Sequence, residues 1–223
     1  MSINLSEIIT VKNRISKLEF EIRLGNYFNQ RFQPGITYQL YNKIFEQHNY
    51  FSKELFENTI SFVGNNNIKK ILFFDKNLKA IKKNGKIKVL YQEKNKIHEL
   101  NMYDNNMRVS LSEETTLKED SSVKNLLRYK QRVSKITKDK NWRYDFTKVN
   151  NVTIKNNSDI LPWSSVPPNF IYELEIEFIG KKISETLIKN EIDFVESLTV
   201  NNNYQSILNK LKSKFVLKDI HKL

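Results

Sequence analysis

LEFEIRLG at 18–25 and YELEIEFIG at 172–180 stand near opposite ends of a 223-residue chain and carry one pattern. In an extended strand, residues two apart share a face. Glu19 and Glu21 therefore project from one side of the first segment, and Glu173, Glu175 and Glu177 from one side of the second, with apolar residues opposite. Five carboxylates in two short strands repel one another unless cations lie between them, and an oxygen-only cluster is the donor set that Mg²⁺ or Mn²⁺ takes. Either segment alone also reads as an ordinary amphipathic strand with a solvated Glu face. Both together are harder to explain that way.

The acidic rows sit in a basic chain. Lys plus Arg number 37 against 25 Asp plus Glu, a formal net charge of +12, so the surface attracts polyanions, with nucleic acid or phosphate the first partner to consider. A chain of this length can bury one substantial core, and 14 Phe and 10 Tyr supply its bulk. The absence of cysteine excludes disulfides, thiolate nucleophiles and Cys-type zinc sites, and suits a reducing compartment. No stretch has the apolar length of a membrane span, and MSINLSEIIT lacks a signal-peptide pattern. The expectation is a soluble intracellular protein with no membrane partner. The runs Asn65 to Asn67 and Asn201 to Asn203 read as loops.

Along the chain, a strand near 17–24 leads to the turn signal QPGIT. Ile36, Leu40, Ile44 and Phe45 are then spaced for a helix to about Tyr50, which SKELFENTISFVG (52–64) is read as extending. From Ile68 the texture changes to short apolar runs broken by Asn, Gly and Asp: IKKILFF, LKAIK, KIKVLYQE, KIHELNMY and NMRVSLSEE. These predict successive antiparallel strands with tight turns at Asn84-Gly85 and Asp104-Asn105. Two more strands are expected at 124–137 and 141–149. The Pro-rich LPWSSVPPN (161–169) then precedes the second carboxylate strand, and SETLIKNEIDFVESL and YQSILNKLKSKF read as amphipathic helices. The fold class expected is mainly β, a meander or barrel with flanking helices, in a single domain over 1–223.

Charge also alternates inside the later strands. Arg128, Lys130 and Arg132 share one face, as do Arg143, Asp145 and Thr147, while Tyr129, Val133, Trp142, Tyr144 and Phe146 occupy the opposite faces. A water-exposed polar face would carry the same lettering. If the sheet closes with its charged faces inward, acidic and basic strands meet across a lumen that can hold a metal and a polyphosphate together.

The ordered set of the Glu-x-Glu strand, RVSLSEE, the Lys-x-Arg strand, the Arg-x-Asp-x-Thr strand and the final Glu-x-Glu-x-Glu strand resembles the metal-dependent RNA triphosphatases of fungi, protozoa and large DNA viruses. These belong to the triphosphate tunnel metalloenzymes, and the resemblance, over about residues 17 to 180, is to the viral capping-enzyme type. It implies a closed eight-stranded antiparallel barrel enclosing a polar tunnel, and removal of the γ-phosphate from 5′-triphosphate RNA as the first step of mRNA capping, with nucleoside triphosphates as further substrates. It makes Glu19, Glu21 and Glu177 metal ligands for Mn²⁺ or Mg²⁺, supported by Glu175 and Glu173. Lys130 and Arg132 become phosphate contacts, Arg143 reaches the phosphate, Asp145 orients a basic neighbour within the Arg143-Asp145-Thr147 triplet, and Glu114 positions or deprotonates the attacking water. Arg108 and Arg128 are further phosphate contacts. For the strands at 68–75 and 88–97 the basic residues are Lys70 and Lys94, with Lys69 and Lys96 the competing register. The resemblance also implies an N-terminal module followed by guanylyltransferase and methyltransferase modules, acting in a viral factory or virion, or in a nucleus if the chain is not viral.

The chemistry stands without the family. Phosphoryl transfer spreads negative charge over the transferred group, and a metal with converging Lys and Arg supplies most of what it needs. Neither a GxxxxGK[ST] loop nor a Cys-x5-Arg loop occurs. Two other readings remain: a tunnel enzyme acting on tripolyphosphate, a nucleoside triphosphate or thiamine triphosphate, or cyclising ATP; and a non-catalytic basic RNA-binding module. The second accounts for the net charge but not for the clustered glutamates.

Overall fold

The structure, a computed structural model, describes residues 4–64, 68–118, 124–153 and 162–199. Its strands are β1 (Glu19–Phe28), β2 (Arg31–Pro34), β3 (Phe51–Gly64), β4 (Ile68–Phe74), β5 (Lys82–Lys83), β6 (Lys86–Ile87), β7 (Val89–Met102), β8 (Met107–Leu117), β9 (Lys124–Thr137), β10 (Trp142–Thr153) and β11 (Ile171–Phe178). The helices are α1 (Leu5–Arg14), α2 (Tyr38–Phe45) and α3 (185–199). The main sheet runs β11-β10-β9-β3-β4-β7-β8-β1, every neighbouring pair is antiparallel, and β1 pairs back onto β11, so eight strands form a ring. Closure removes free sheet edges. None of the described helices is long and apolar enough to cross a membrane.

The apolar faces point outward. Phe20, Ile22 and Leu24 of β1, Val109 and Leu111 of β8, Trp142, Tyr144 and Phe146 of β10, and Leu174, Ile176 and Phe178 of β11 are all buried, against Ile8 of α1, Tyr41 and Ile44 of α2, and Ile188, Ile192 and Val195 of α3. The main core thus lies between the ring and its helices, not inside the ring. Each buried large side chain contributes about 1.5–3 kcal/mol, which offsets the cost of gathering charged residues on the inner faces. A second cluster, Ile60, Phe62, Leu72, Leu127 and Tyr129, is covered by Trp163 of the Pro-rich connection, whose ring meets Phe74 and Tyr129 edge-on at 5.8 and 5.2 Å between centroids.

Helix ends follow local chemistry. Asn4 and Glu7 form a reciprocal capping box at α1, Thr37 accepts from the Leu40 N–H at α2, and Ser184 accepts from the Leu187 N–H at α3. Gly25 is required where β1 meets β2: a Cβ there would stand 2.3 Å from the Gln33 carbonyl oxygen.

Several boundaries differ from the sequence expectation. SKELFENTISFVG is strand β3, not helix, because it alternates Glu57, Thr59 and Ser61 inward with Ile60 and Phe62 outward. The preceding helix ends at Phe45 rather than Tyr50. QPGIT is not the first turn: Gln33 and Pro34 belong to β2, and the chain reverses at Asn29 and Gln30, both at positive φ. KIKVLYQE and KIHELNMY contribute to one long strand, β7, with a bulge between Lys96 and His98, while only Lys82 of LKAIK is in a strand. The Asn84-Gly85 turn forms as expected, with both residues at positive φ. The segment YQSILNKLKSKF and both Asn runs lie outside the described residues.

Between α3 and the ring, Glu191 is 3 % exposed and accepts hydrogen bonds from the hydroxyls of Tyr50, at 2.8 Å, and Tyr144. Burial pushes its carboxyl up to about 7, with the two tyrosine hydroxyls opposing the shift. The folded chain therefore holds a proton that the unfolded chain has lost above the usual carboxylate range. The resulting stability is present in full below about pH 4.5 and is lost as pH rises through 7, by up to about 3 kcal/mol. Glu191→Gln is expected to flatten this dependence and to raise the denaturation midpoint at pH 8. Equal pH dependence in urea titrations of wild type and variant would disprove it.

Candidate active site

Strand alternation delivers the inward faces to one bore. Its wider end is a cavity of about 610 Å³ bounded by β1, β3, β4, β7, β8, β9, β10 and β11, with Lys12 of α1 at its rim. Glu19, Glu114, Lys94, Lys130, Arg132, Arg143, Asp145, Glu175 and Glu177 all line it. Segments more than 150 positions apart meet because β1 and β11 form the closing seam, with Glu21 directly opposite Glu177 and Arg23 opposite Glu175. Two carboxylates paired across a ladder repel each other.

Cationic side chains offset that repulsion. The Lys94 ammonium stands 2.6 Å from Glu19, 3.0 Å from Glu21 and 3.3 Å from Glu114. Arg23 bridges Glu21 and Glu175, at 2.8 Å from the latter. Asp145, 2 % exposed, takes the Arg143 guanidinium in a fork at 2.9 and 3.0 Å and Arg132 at 3.1 Å, while Arg143 also reaches Glu177. The Thr147 hydroxyl lies 3.4 Å from Arg132 Nε. Glu173 is held by Arg128 at 2.5 Å. Burial works against the charge on Glu175, but Arg23, Arg132 and Lys130 outweigh it and hold the carboxyl far below the ordinary range. Glu177 goes the other way: burial, opposed by Arg143 and reinforced by Glu19, Asp145 and Glu21, pushes it up to about 7. Glu19 is also raised, by burial and by Glu114 against the pull of Lys94.

The facing wall has the opposite imbalance. The side-chain amines of Lys69 and Lys130 line the bore with no hydrogen bond or ion pair to any described residue. Burial, then Arg128 and Arg132, lower the Lys130 ammonium to about 7, and burial with Arg23 and Lys94 lowers Lys69. The lumen thus sets two amines whose charge is disfavoured by burial and by neighbouring cations across from carboxylates that repel one another, and an anion near Lys69 and Lys130 would favour their protonated forms.

One residue of the expected set is elsewhere. Lys70 lies on the outer face, over the rings of Phe62 and Tyr91 at 5.6 and 5.9 Å, and Lys69 is the lysine of β4 that faces the bore. Arg108 lines the opposite end of the tunnel, stacked on Phe32 at 4.5 Å. Sequence reading missed Arg23, although its spacing from Glu19 and Glu21 places it on the same face. It missed Glu57 because β3 was read as helix. Lys12 reaches the rim only through docking of α1 and left no signal in the sequence.

Eight antiparallel strands thus close into a ring around a charged bore, a tunnel-type fold. No family model and no curated protein matches the chain by sequence. Among solved structures, the RNA triphosphatase domain of a trifunctional mimivirus mRNA capping enzyme is 22 % identical, over 86 % of this chain and 95 % of that one, with a TM-score of 0.59. A triclinic structure of the mimivirus capping enzyme triphosphatase gives 21 % over the same shares, with a TM-score of 0.57. The S. pombe Pct1 RNA triphosphatase is 14 % identical over 95 % and 92 %, with a TM-score of 0.52.

Proposed function

We propose that this chain is a metal-dependent RNA 5′-triphosphatase that converts 5′-triphosphate RNA to 5′-diphosphate RNA and orthophosphate. The observation that carries the reading is the placement of Lys69 and Lys130, whose amines make no side-chain hydrogen bond or ion pair among the described residues, in one cavity with Glu19, Glu114 and Glu177. The shared fold with capping-enzyme triphosphatases supports it.

The acidic wall suits a hard divalent ion in its donor chemistry, all of it carboxylate oxygen. Among the described residues no three acidic side chains stand grouped in ligating geometry, and the Lys94 ammonium holds the centre of Glu19, Glu21 and Glu114. Glu19, Glu21 and Glu177 would hold Mg²⁺ or Mn²⁺, with Glu173 and Glu175 behind them on their arginines. The bound ion would neutralise charge on the triphosphate oxygens.

Arg132, Arg143, Lys130 and Lys69 bind the equatorial oxygens, and Asp145 fixes both guanidinium planes before substrate arrives, so little reorganisation accompanies the reaction. Glu114 accepts a proton from water as the water oxygen bonds to the γ-phosphorus. The bond to the β–γ bridging oxygen breaks, and its electron pair stays on the β-phosphate. These groups address phosphate oxygens, which nucleoside triphosphates also carry, so their hydrolysis is expected alongside. A guanylyltransferase module that transfers GMP to the diphosphate end, and a methyltransferase module that modifies the added guanosine, fit this role as partners.

Anion binding should restore the charge on Lys130. Affinity for tripolyphosphate in the presence of chelator is expected to fall as pH rises through 7 to 9, and Lys130→Arg, cationic throughout, should remove most of the fall. Titration calorimetry at several pH values reads this, and an identical slope in the variant would count against it. The decisive assay is phosphate release from 5′-triphosphate RNA with Mg²⁺ or Mn²⁺ and with chelator, compared with ATP and tripolyphosphate. Metal-dependent release from RNA supports the proposal. RNA binding without release from any substrate would leave a binding module instead.

A further inference from the structure

The tunnel has a second recess at its far end, of about 180 Å³, sharing Arg23, Lys69 and Lys94 with the wide cavity and continuing to Lys96, Arg108, Ser110 and Ser112. Its walls carry five cationic side chains and one acidic one, Glu21, whose oxygens are already engaged by Arg23 and Lys94. Arg23 and Arg108 stand directly opposite each other across the β1–β8 ladder, a like-charge pairing that Glu21 and Glu175 on Arg23 and Glu99 beside Arg108 partly offset and a further anion would offset more. The recess therefore mirrors in opposite sign the Glu21–Glu177 pairing at the closing seam.

Two buried polar atoms here are also unsatisfied. Ser112 is 1 % exposed and its hydroxyl has no hydrogen-bond partner among the described residues; nor does Arg108 Nε, 3.4 Å from Glu99 but not aligned to donate to it. Stacking on Phe32 holds the Arg108 guanidinium in place. Buried donors left empty are costly. A tetrahedral oxyanion beside Ser112 would accept from its hydroxyl. The recess has room for one phosphate.

We propose that this recess is the subsite that takes up the released orthophosphate, which leaves by the far end while the RNA diphosphate still fills the wide one. The inference rests on the triphosphatase reading. In that reaction the γ-phosphate is the deepest group of the substrate, and the remaining chain blocks its return path. Lys96, half exposed and paired with Glu99, then forms the outer rim of the exit.

The test uses the whole chain with inorganic phosphate as the probe. With chelator present and the wide cavity blocked by a non-hydrolysable imido analogue of tripolyphosphate, one orthophosphate is expected to bind, read by ³¹P NMR or calorimetry. Ser112→Ala and the rim variant Lys96→Glu should each weaken it about tenfold, the scale of losing one charge-assisted contact. In steady state, orthophosphate should lower kcat as well as compete with RNA, and the effect on kcat should fade in Lys96→Glu. Complete displacement of orthophosphate by the blocker, purely competitive inhibition, or wild-type binding by both folded variants would each overturn the subsite. Because binding is read without turnover, the two readings separate. Absence of phosphate release from every triphosphate sinks the enzymatic reading and the product role with it, whereas loss of second-site binding with turnover intact sinks the recess alone.

Discussion

Glu19→Ala and Glu177→Ala are each expected to lower metal-dependent phosphate release by about 10²–10³-fold, the scale of removing one preorganised electrostatic element from an active site, while leaving the fold intact. The reason lies in the seam. Glu177 is held against Glu21 across the ladder, and burial with the neighbouring carboxylates pushes it up to about 7. A group so raised lowers stability at pH values above it, and deleting it relieves repulsion. The alanine variants should therefore unfold no more readily than wild type at pH 8, and Glu177→Gln should be more stable. Loss of activity together with preserved or increased melting temperature is the signature of a functional carboxylate. Full activity in either variant would remove the acidic wall from the mechanism.

Asp145→Ala should behave in the opposite way and lose stability first. Asp145 is buried, and its two oxygens hold Arg143 in a fork and Arg132 at 3.1 Å. Its removal leaves two partly buried guanidinium groups without their shared counter-ion, Arg143 keeping only Glu177 and Arg132 only Glu175, so the cost should fall below the ~3–5 kcal/mol of a fully uncompensated buried charge. Asp145→Asn keeps shape and acceptor and should cost less stability, yet still disorder the two arginines and reduce turnover. Urea denaturation separates the two variants. If Asp145→Ala matched wild type in stability, the network would contribute nothing to holding the ring.

The acidic strands, the Lys-x-Arg strand and the Arg-x-Asp-x-Thr strand were legible because inward charge and outward aromatic residues alternate without interruption, as in Arg143, Tyr144, Asp145, Phe146 and Thr147. β3 was not, because Leu55 and Phe56 are adjacent and both exposed, 44 % and 53 %, which mimics a helical stripe. The lysines of β4 and β7 could not be assigned from spacing alone. Pairing of Lys69 with Gln92 sets the inward side of β4, and the bulge after Lys96 changes the facing of β7 midway. Register and bulges arise from contacts with partner strands, and so lie beyond a local reading. The same holds for Lys12, which reaches the rim only because α1 docks on the outer core.

The seam that joins residues 19–28 to 171–178 also sets a schedule for synthesis. The ring cannot close until β11 has left the ribosome, at roughly 5–20 residues per second, so β1 waits through most of translation with one flank unpaired. Glu19, Glu21 and Arg23 keep that waiting strand charged on one face, which discourages pairing with a second nascent chain. The carboxylates proposed to hold a metal would thus also guard the chain in the interval before the tunnel exists.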